Sequence, residues 1–202
     1  MRMSDRVHCQ DWPCTDVDHD LFCVSAVEVD PARISIVLVS EVAAPRAEDG
    51  YYAGSESLFA RTTLEAFRDA GANVTSVTEL LQRGVYLTTA VKCGKTGYGI
   101  ETPTVSVCSE LLEEEFALFP NVRALLLMGD VAIKAVNAIA RRAGEKRVIP
   151  PGSTYKLRGP EYAWRGVRVF PSYLQAGPSF FIEKSKRRMI AEDLAAALTL
   201  VD

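Results

Sequence analysis

Residues 34–39 read ISIVLV, an apolar and mostly β-branched run with a single serine in it. A strand wetted on one face alternates polar and apolar residues; a run without that alternation needs cover on both faces, as parallel strands have. Similar runs recur at 85–91 (VYLTTAV), 122–128 (VRALLLM) and, shorter, at 167–170 (VRVF). Between them lie stretches of helical period. Residues 55–70 place Leu58, Phe59, Thr62, Phe67 and Ala70 on an inner face and stop at Gly71. Residues 104–118 carry an acidic outer face at 113–115, and 130–142 and 183–200 complete the set, with an added strand expected at 24–29. The alternating order predicts an α/β fold: one three-layer α/β/α domain around a central, mainly parallel sheet.

A chain of 202 residues with 48% hydrophobic content suits one domain spanning 1–202, and no linker or repeat divides it. Residues 1–23 stand apart as a cysteine-bearing segment. The N-terminus lacks a signal-peptide pattern and no apolar run reaches membrane-spanning length, so a cytoplasmic protein without membrane contact is expected. The formal net charge is −3, which excludes nucleic-acid binding through the surface as a whole. Any such binding needs a local patch, and Lys184, Lys186, Arg187 and Arg188 form the best cluster in the sequence; a solvated helix face reads the same way.

In doubly wound folds, sites sit beyond the C-terminal ends of the strands. That selects the loops at 40–52, 92–102, 129–130 and 171–177. Cys93-Gly94-Lys95-Thr96 imitates the end of a phosphate-binding loop, but the glycine required earlier is Thr89. The only histidines, His8 and His19, lie in the N-terminal segment, which disfavours nucleophilic triads. Glu41, directly after the first strand, and Asp49 in the same loop could activate water or stabilise a cation; a loop carboxylate capping a helix is the plainer reading. Tyr51 and Tyr52 beside glycines could form a slot for a base, or pack on the next helix. Cys9, Cys14 and Cys23 are far in sequence from Cys93 and Cys108. Two distant thiol groups suggest one metal site stapling the N-terminus to the body, against the alternative of five small apolar fillers.

Taken in order, these elements resemble the iron–sulfur uracil-DNA glycosylases of thermophiles, the fourth family of that superfamily. The resemblance runs from about Cys9 to the C-terminus. Ser40-Glu41-Val42-Ala43 stands at that family's Gly-Glu-Gly-Pro-Gly, and Tyr52-Ala53-Gly54 at its base-stacking Phe-Val-Gly. Thr89-Ala90-Val91-Lys92-Cys93 stands at its Asn-Val-Val-Lys-Cys, with Cys108 as a second cysteine. Lys156-Leu157-Arg158-Gly159 matches Lys-Val-Arg-Gly. Phe170-Pro171-Ser172-Tyr173-Leu174 stands at His-Pro-Ser-Tyr-Leu, and the closing Arg187-Arg188 to Glu192-Asp193 matches its last helix.

The resemblance implies an iron–sulfur cluster, of 4Fe-4S type, held by Cys14, Cys23, Cys93 and Cys108, with Cys9 as substitute. Cys23 is preferred because it precedes the expected strand at 24–29, whereas Cys9 lies in the tail. It implies catalysis by Glu41 and Asp49, a base pocket of Tyr52, Thr89 and Phe170, and DNA contacts by Ser172, Tyr173, Gln175, Lys186 and Arg187, with Tyr173 to Gln175 as the wedge. The expected partner is DNA carrying a damaged or deaminated base, bound by a monomer. Two departures bear on activity. Phe170 replaces a histidine and can neither donate a hydrogen bond nor carry charge, and Thr89 replaces a base-reading asparagine. The expectation is a divergent glycosylase with reduced or altered activity; the alternatives are a non-catalytic DNA- or nucleotide-binding protein and a small-molecule enzyme of doubly wound fold.

Overall fold

The apolar runs form the centre of a six-stranded sheet in the computed structural model, which describes residues 1–201. In chain order the strands are β1 (Val17–Asp18), β2 (Ile36–Ala43), β3 (Val85–Lys95), β4 (Ala124–Met128), β5 (Tyr162–Trp164) and β6 (Val167–Ser172). Across the sheet the order is β1-β3-β2-β4-β6-β5. The four inner strands are parallel, and the short edge strands β1 and β5 are antiparallel. The helices are α1 (Leu58–Asp69), α2 (Val77–Gln82), α3 (Thr102–Ala117), α4 (Asp130–Arg142), α5 (Thr154–Leu157), α6 (Ser179–Ile182) and α7 (Lys184–Leu198). None is long and apolar enough to cross a membrane.

Successive residues of the inner strands feed two cores. Val37, Val39, Leu125 and Leu127 pack with α3 and α4 on one face. Ile36, Leu38, Leu126 and Met128 pack with α1 and α7 on the other. This is the two-sided burial that the unalternating runs demand, and each such side chain contributes about 1.5–3 kcal/mol. Helix α1 begins where the Ser57 hydroxyl accepts from Ala60 N–H at 3.2 Å.

The strands differ from expectation chiefly at their ends. Ser40 and Glu41 lie within β2, and Lys92 to Lys95 within β3. No strand forms over 24–29: Cys23 N–H donates to Lys92 O at 2.7 Å, Ser4 N–H to Ser25 O at 3.0 Å, and Glu28 makes one isolated bridge to Arg2. Point contacts stand there in place of a ladder, and the Tyr52 side chain meets the β3 backbone farther along. The Tyr52 hydroxyl accepts from Leu87 N–H at 3.0 Å and donates to Leu87 O at 3.2 Å. Helix α2 and strand β5 had no sequence signal strong enough to expect them.

Beside β2, strand β3 carries two additional residues, Lys92 and Cys93, opposite the step from Val42 to Ala43. The irregularity accompanies an inward-turned Lys92, which is fully buried. Its ammonium reaches Thr89 O at 2.7 Å, Thr88 Oγ1 at 2.8 Å and Glu115 Oε2 of α3 at 2.5 Å. Glu115, also buried, accepts in addition from Tyr86 and Thr88 hydroxyls at 3.0 and 2.8 Å. Removing one partner of such a pair strands the other charge, at a cost of about 3–5 kcal/mol, while neutralising both costs far less. Lys92→Met is expected to lose that much stability in urea unfolding, and Lys92→Met with Glu115→Gln to recover a large part of it.

Candidate active site

Two recesses open beyond the C-terminal ends of the parallel strands. The first lies at β2 and β3, between Ala43, Ala44, Tyr51, Tyr52, Thr88 and Thr89, and encloses about 30 Å³. Tyr52, half-buried, stacks on Tyr86 with ring centroids 6.4 Å apart while its hydroxyl holds Leu87. Burial pushes its phenol well above the ordinary range. Thr89 directs its hydroxyl to Val91 O at 2.9 Å. Tyr51 is buried, and desolvation lifts its phenol to about 12 despite hydrogen bonds with Ser40, Gln175 and Thr63.

The second recess, about 200 Å³, lies beyond β2, β4 and β6 and is lined by Glu41, Gly129, Thr154, Tyr173, Phe180 and Lys186 among others. Glu41 Oε1 accepts from Val131 N–H at 3.3 Å, in the first turn of α4, where amide groups and the helix dipole favour an anion. Gly129 precedes that turn at φ +104° and ψ 169°, a conformation nearly restricted to glycine. A Cβ at 129 would also overlap the Glu41 carboxylate.

The expected site residues thus divide. Tyr52 and Thr89 share the first recess, while Glu41, Tyr173 and Lys186 share the second. Asp49 lines neither. Its carboxyl sits below the ordinary range because Arg46 Nε bonds it at 2.7 Å and Leu58 N–H, at the start of α1, adds a second bond. Phe170 lies inside β6, opposite Leu126, with the Arg168 guanidinium 4.8 Å over its ring, and lines neither recess.

Two expected DNA contacts are corrected by burial. Ser172 is fully buried and donates to Asp193 Oδ2 at 2.5 Å. That carboxylate also holds Arg158 Nε at 2.7 Å, so three of the sequence signatures form one internal staple. Gln175, expected in a wedge, is fully buried; its amide donates to Tyr51 at 2.8 Å and to Ser40 and Thr63 at 3.2 Å. Arg187 is held by Asp69 and by Glu65 at 3.0 Å, which raises its pKa still further. Sequence reasoning missed Lys92, Glu115 and Gln175 as organisers of the first recess. A lysine in an otherwise apolar strand run was the one available signal.

The cysteines also sort differently from expectation. Burial raises the Cys14 thiol, and Cys9 and Asp16 act on it electrostatically in the same direction. Cys93 Sγ lies 3.6 Å from His19 Nδ1, and Cys108, Cys9 and Cys14 act on its thiol electrostatically, as the Lys92 amide does on Cys108. Burial raises the Cys93 thiol to about 12 and Cys108 to about 11. Cys23 is exposed and lines the first recess, where burial raises its thiol and Lys92 and Glu115 act on it with opposite sign. Met3 and Val7, just ahead of Cys9, are fully buried. Asp16 pins the same segment to α3, accepting from Glu101 N–H at 2.7 Å and from the Thr104 hydroxyl. Among the described residues, no three His, Cys, Asp or Glu side chains converge on a point suited to one metal ion.

A family profile described as the Uracil DNA glycosylase superfamily matches residues 29–195. The match includes Cys93 and Cys108 and begins beyond Cys9, Cys14 and Cys23. No curated protein matches the chain. Among solved structures, a wild-type UNG from Nitratifractor salsuginis aligns over 82% of this chain and 75% of its own, at 15% identity and a TM-score of 0.38.

The Glu41 contact supplies a direct test of how this edge is built. Gly129→Ala combines a disfavoured backbone conformation with displacement of the carboxylate from α4. It is expected to cost at least about 1–3 kcal/mol, read as a lower thermal midpoint.

Proposed function

The chain belongs to the uracil DNA glycosylase superfamily, and we propose that it is a divergent DNA glycosylase which extrudes a deaminated or damaged base from the helix and hydrolyses its bond to the sugar. The observation that carries this reading is the recess of Tyr52, Thr88 and Thr89 at the ends of β2 and β3, an aromatic ring facing small hydroxyl side chains as a flipped base requires. In its present form the recess has room for about one water. Base entry therefore requires the 44–52 loop to open.

In this reading the Tyr52 ring stacks on the base, and Thr88 and Thr89, whose hydroxyls are held by Glu115 and by Val91 O, wall the recess. Glu41, fixed on the first turn of α4, faces the sugar and stabilises positive charge as the base departs. Asp49 holds the loop through Arg46 and does not touch the reacting atoms. With Phe170 inside the sheet, no imidazole supports the leaving base, which favours lesions that depart as stable anions. The exposed Phe181 and Ile182 of α6, next to the Glu41 recess, are better wedges for the gap in the duplex than the buried Gln175.

Cys9, Cys14, Cys93 and Cys108 would hold an iron–sulfur cluster, which when bound supplies a cross-link between the N-terminal segment, β3 and α3. Serine substitution at any of these four is expected to bleach anaerobically purified protein and lower its melting temperature. Cys23→Ser is expected to keep the colour. The opposite result for Cys9 and Cys23 would return Cys23 to the ligand set.

A second reading, DNA binding without catalysis, is favoured by one observation: the Thr89 hydroxyl is committed to Val91 O and has no amide to read a base. Excision assays over a panel of deaminated and oxidised bases, at low salt, separate the two. Release of at least one base supports the glycosylase; binding without release of any supports the second reading. Tyr52→Ala is expected to weaken base-dependent binding by about 1–3 kcal/mol and Tyr52→Phe to preserve it, although the latter unfolds more easily for want of the Leu87 contacts. Equal losses in binding would reject stacking.

A further inference from the structure

A groove of about 460 Å³ runs between α3 and α4 beneath the 145–157 segment, and it joins the Glu41 recess at Asp130 and Thr154, which line both. We infer that this groove seats the phosphate backbone of the DNA strand leading away from the Glu41 recess, with Arg141 and Arg147 as its phosphate contacts. The inference rests on the reading of DNA as the partner and locates the surface that holds it.

The groove is built in advance. Asn137 Oδ1 accepts from Val148 and Ile149 N–H at 2.9 and 3.0 Å, and its amide donates to Ile149 O at 2.9 Å. Ile149 is fully buried, so the outer wall is fastened to α4. Arg141 and Arg147 are exposed, line the groove, and make no ion pair or side-chain hydrogen bond with any described residue. The acidic side chain nearest them in sequence, Glu145, is held by Trp164 Nε1 at 2.5 Å and Arg165 Nε at 2.9 Å. Asp130 is paired with Lys134 at 2.5 Å. The uncompensated charge of the groove is therefore positive. Thr102 and Ser106 add hydroxyls along the opposite wall.

The cluster favoured by sequence is electrically quieter. Lys186 bonds Glu183 at 2.6 Å, Arg187 bonds Glu65 and Asp69, and Arg188 lies 3.7 Å from Glu192. Of that run only Lys184 has no such pair among the described residues. For a protein of net charge −3, two free guanidinium groups beside a preformed groove that opens into the proposed site are the stronger electrostatic footprint.

The test compares Arg141→Gln/Arg147→Gln with Lys184→Gln/Arg188→Gln. Binding of a labelled undamaged oligonucleotide, single-stranded and duplex, is measured across a salt series. All substituted side chains are exposed, and unchanged melting temperatures confirm folding. The expected result is a fall of about 1.4–1.8 in the slope of log affinity against log salt for the first pair, from about 0.7–0.9 per lost phosphate contact. At low salt its affinity falls about tenfold or more. In excision its KM rises while kcat holds. An unchanged slope for the first pair, or a larger fall for the second, overturns the inference while leaving the glycosylase reading intact. Salt-sensitive binding through the groove without excision of any base supports the inference and removes the glycosylase reading. Absence of DNA binding by the unaltered protein overturns both.

Discussion

The buried pair of Lys92 and Glu115 is the constraint on which the arrangement of the site depends. An isolated charge inside a protein is so costly that every donor and acceptor around it must be placed. The Lys92 ammonium finds its three acceptors in Glu115, Thr88 and the Thr89 carbonyl; the Glu115 oxygens take up Tyr86 and Thr88. The pair thereby locks the end of β3 against α3. The backbone of Lys92 extends the effect, since its carbonyl receives Cys23 N–H and its N–H approaches Cys108. One residue thus touches the thiol group, the N-terminal segment and the floor of the tyrosine-lined recess.

The parallel sheet was legible because its signal is physical and local. Runs such as 34–39 and 122–128 have no wet face, and helical stretches separate them. Helix 130–142 follows from its apolar period and from the glycine before it. The ends of strands were less legible. Ser40, Glu41 and Lys92 look like loop residues by composition, yet each continues a ladder because its side chain finds a buried partner or a helix terminus. The expected strand at 24–29 failed for the converse reason. Its β-branched residues were suitable, but along that edge of β3 the partners are β1, Cys23 and the Tyr52 hydroxyl.

The placement of the expected site residues was only partly legible. Tyr52 and Thr89 line one recess, and Glu41, Tyr173 and Lys186 another. Nothing in their spacing reveals that they divide between two recesses. Ser172 and Gln175 look suited to contacting a polar partner, whereas the fold uses them as internal fasteners to Asp193 and to Tyr51. Spacing also favoured Cys23 over Cys9 in the thiol group. Packing of Met3 and Val7, and the anchoring of Asp16, tie down the segment that carries Cys9, and such anchoring cannot be inferred from cysteine intervals alone.

The space above Gly129 has a consequence for how relatives of this chain can vary. The Glu41 carboxylate occupies the volume a side chain at 129 would need, and the backbone there is nearly closed to any other residue. Two positions far apart in sequence are therefore a single unit of inheritance. A lineage that acquires a side chain at 129 must first shorten or redirect residue 41 and rebuild the turn into α4. A lineage that loses the carboxylate frees 129 only in part, because the backbone restriction remains. Substitution is thus ordered in time, with position 41 able to change before 129 and not after it.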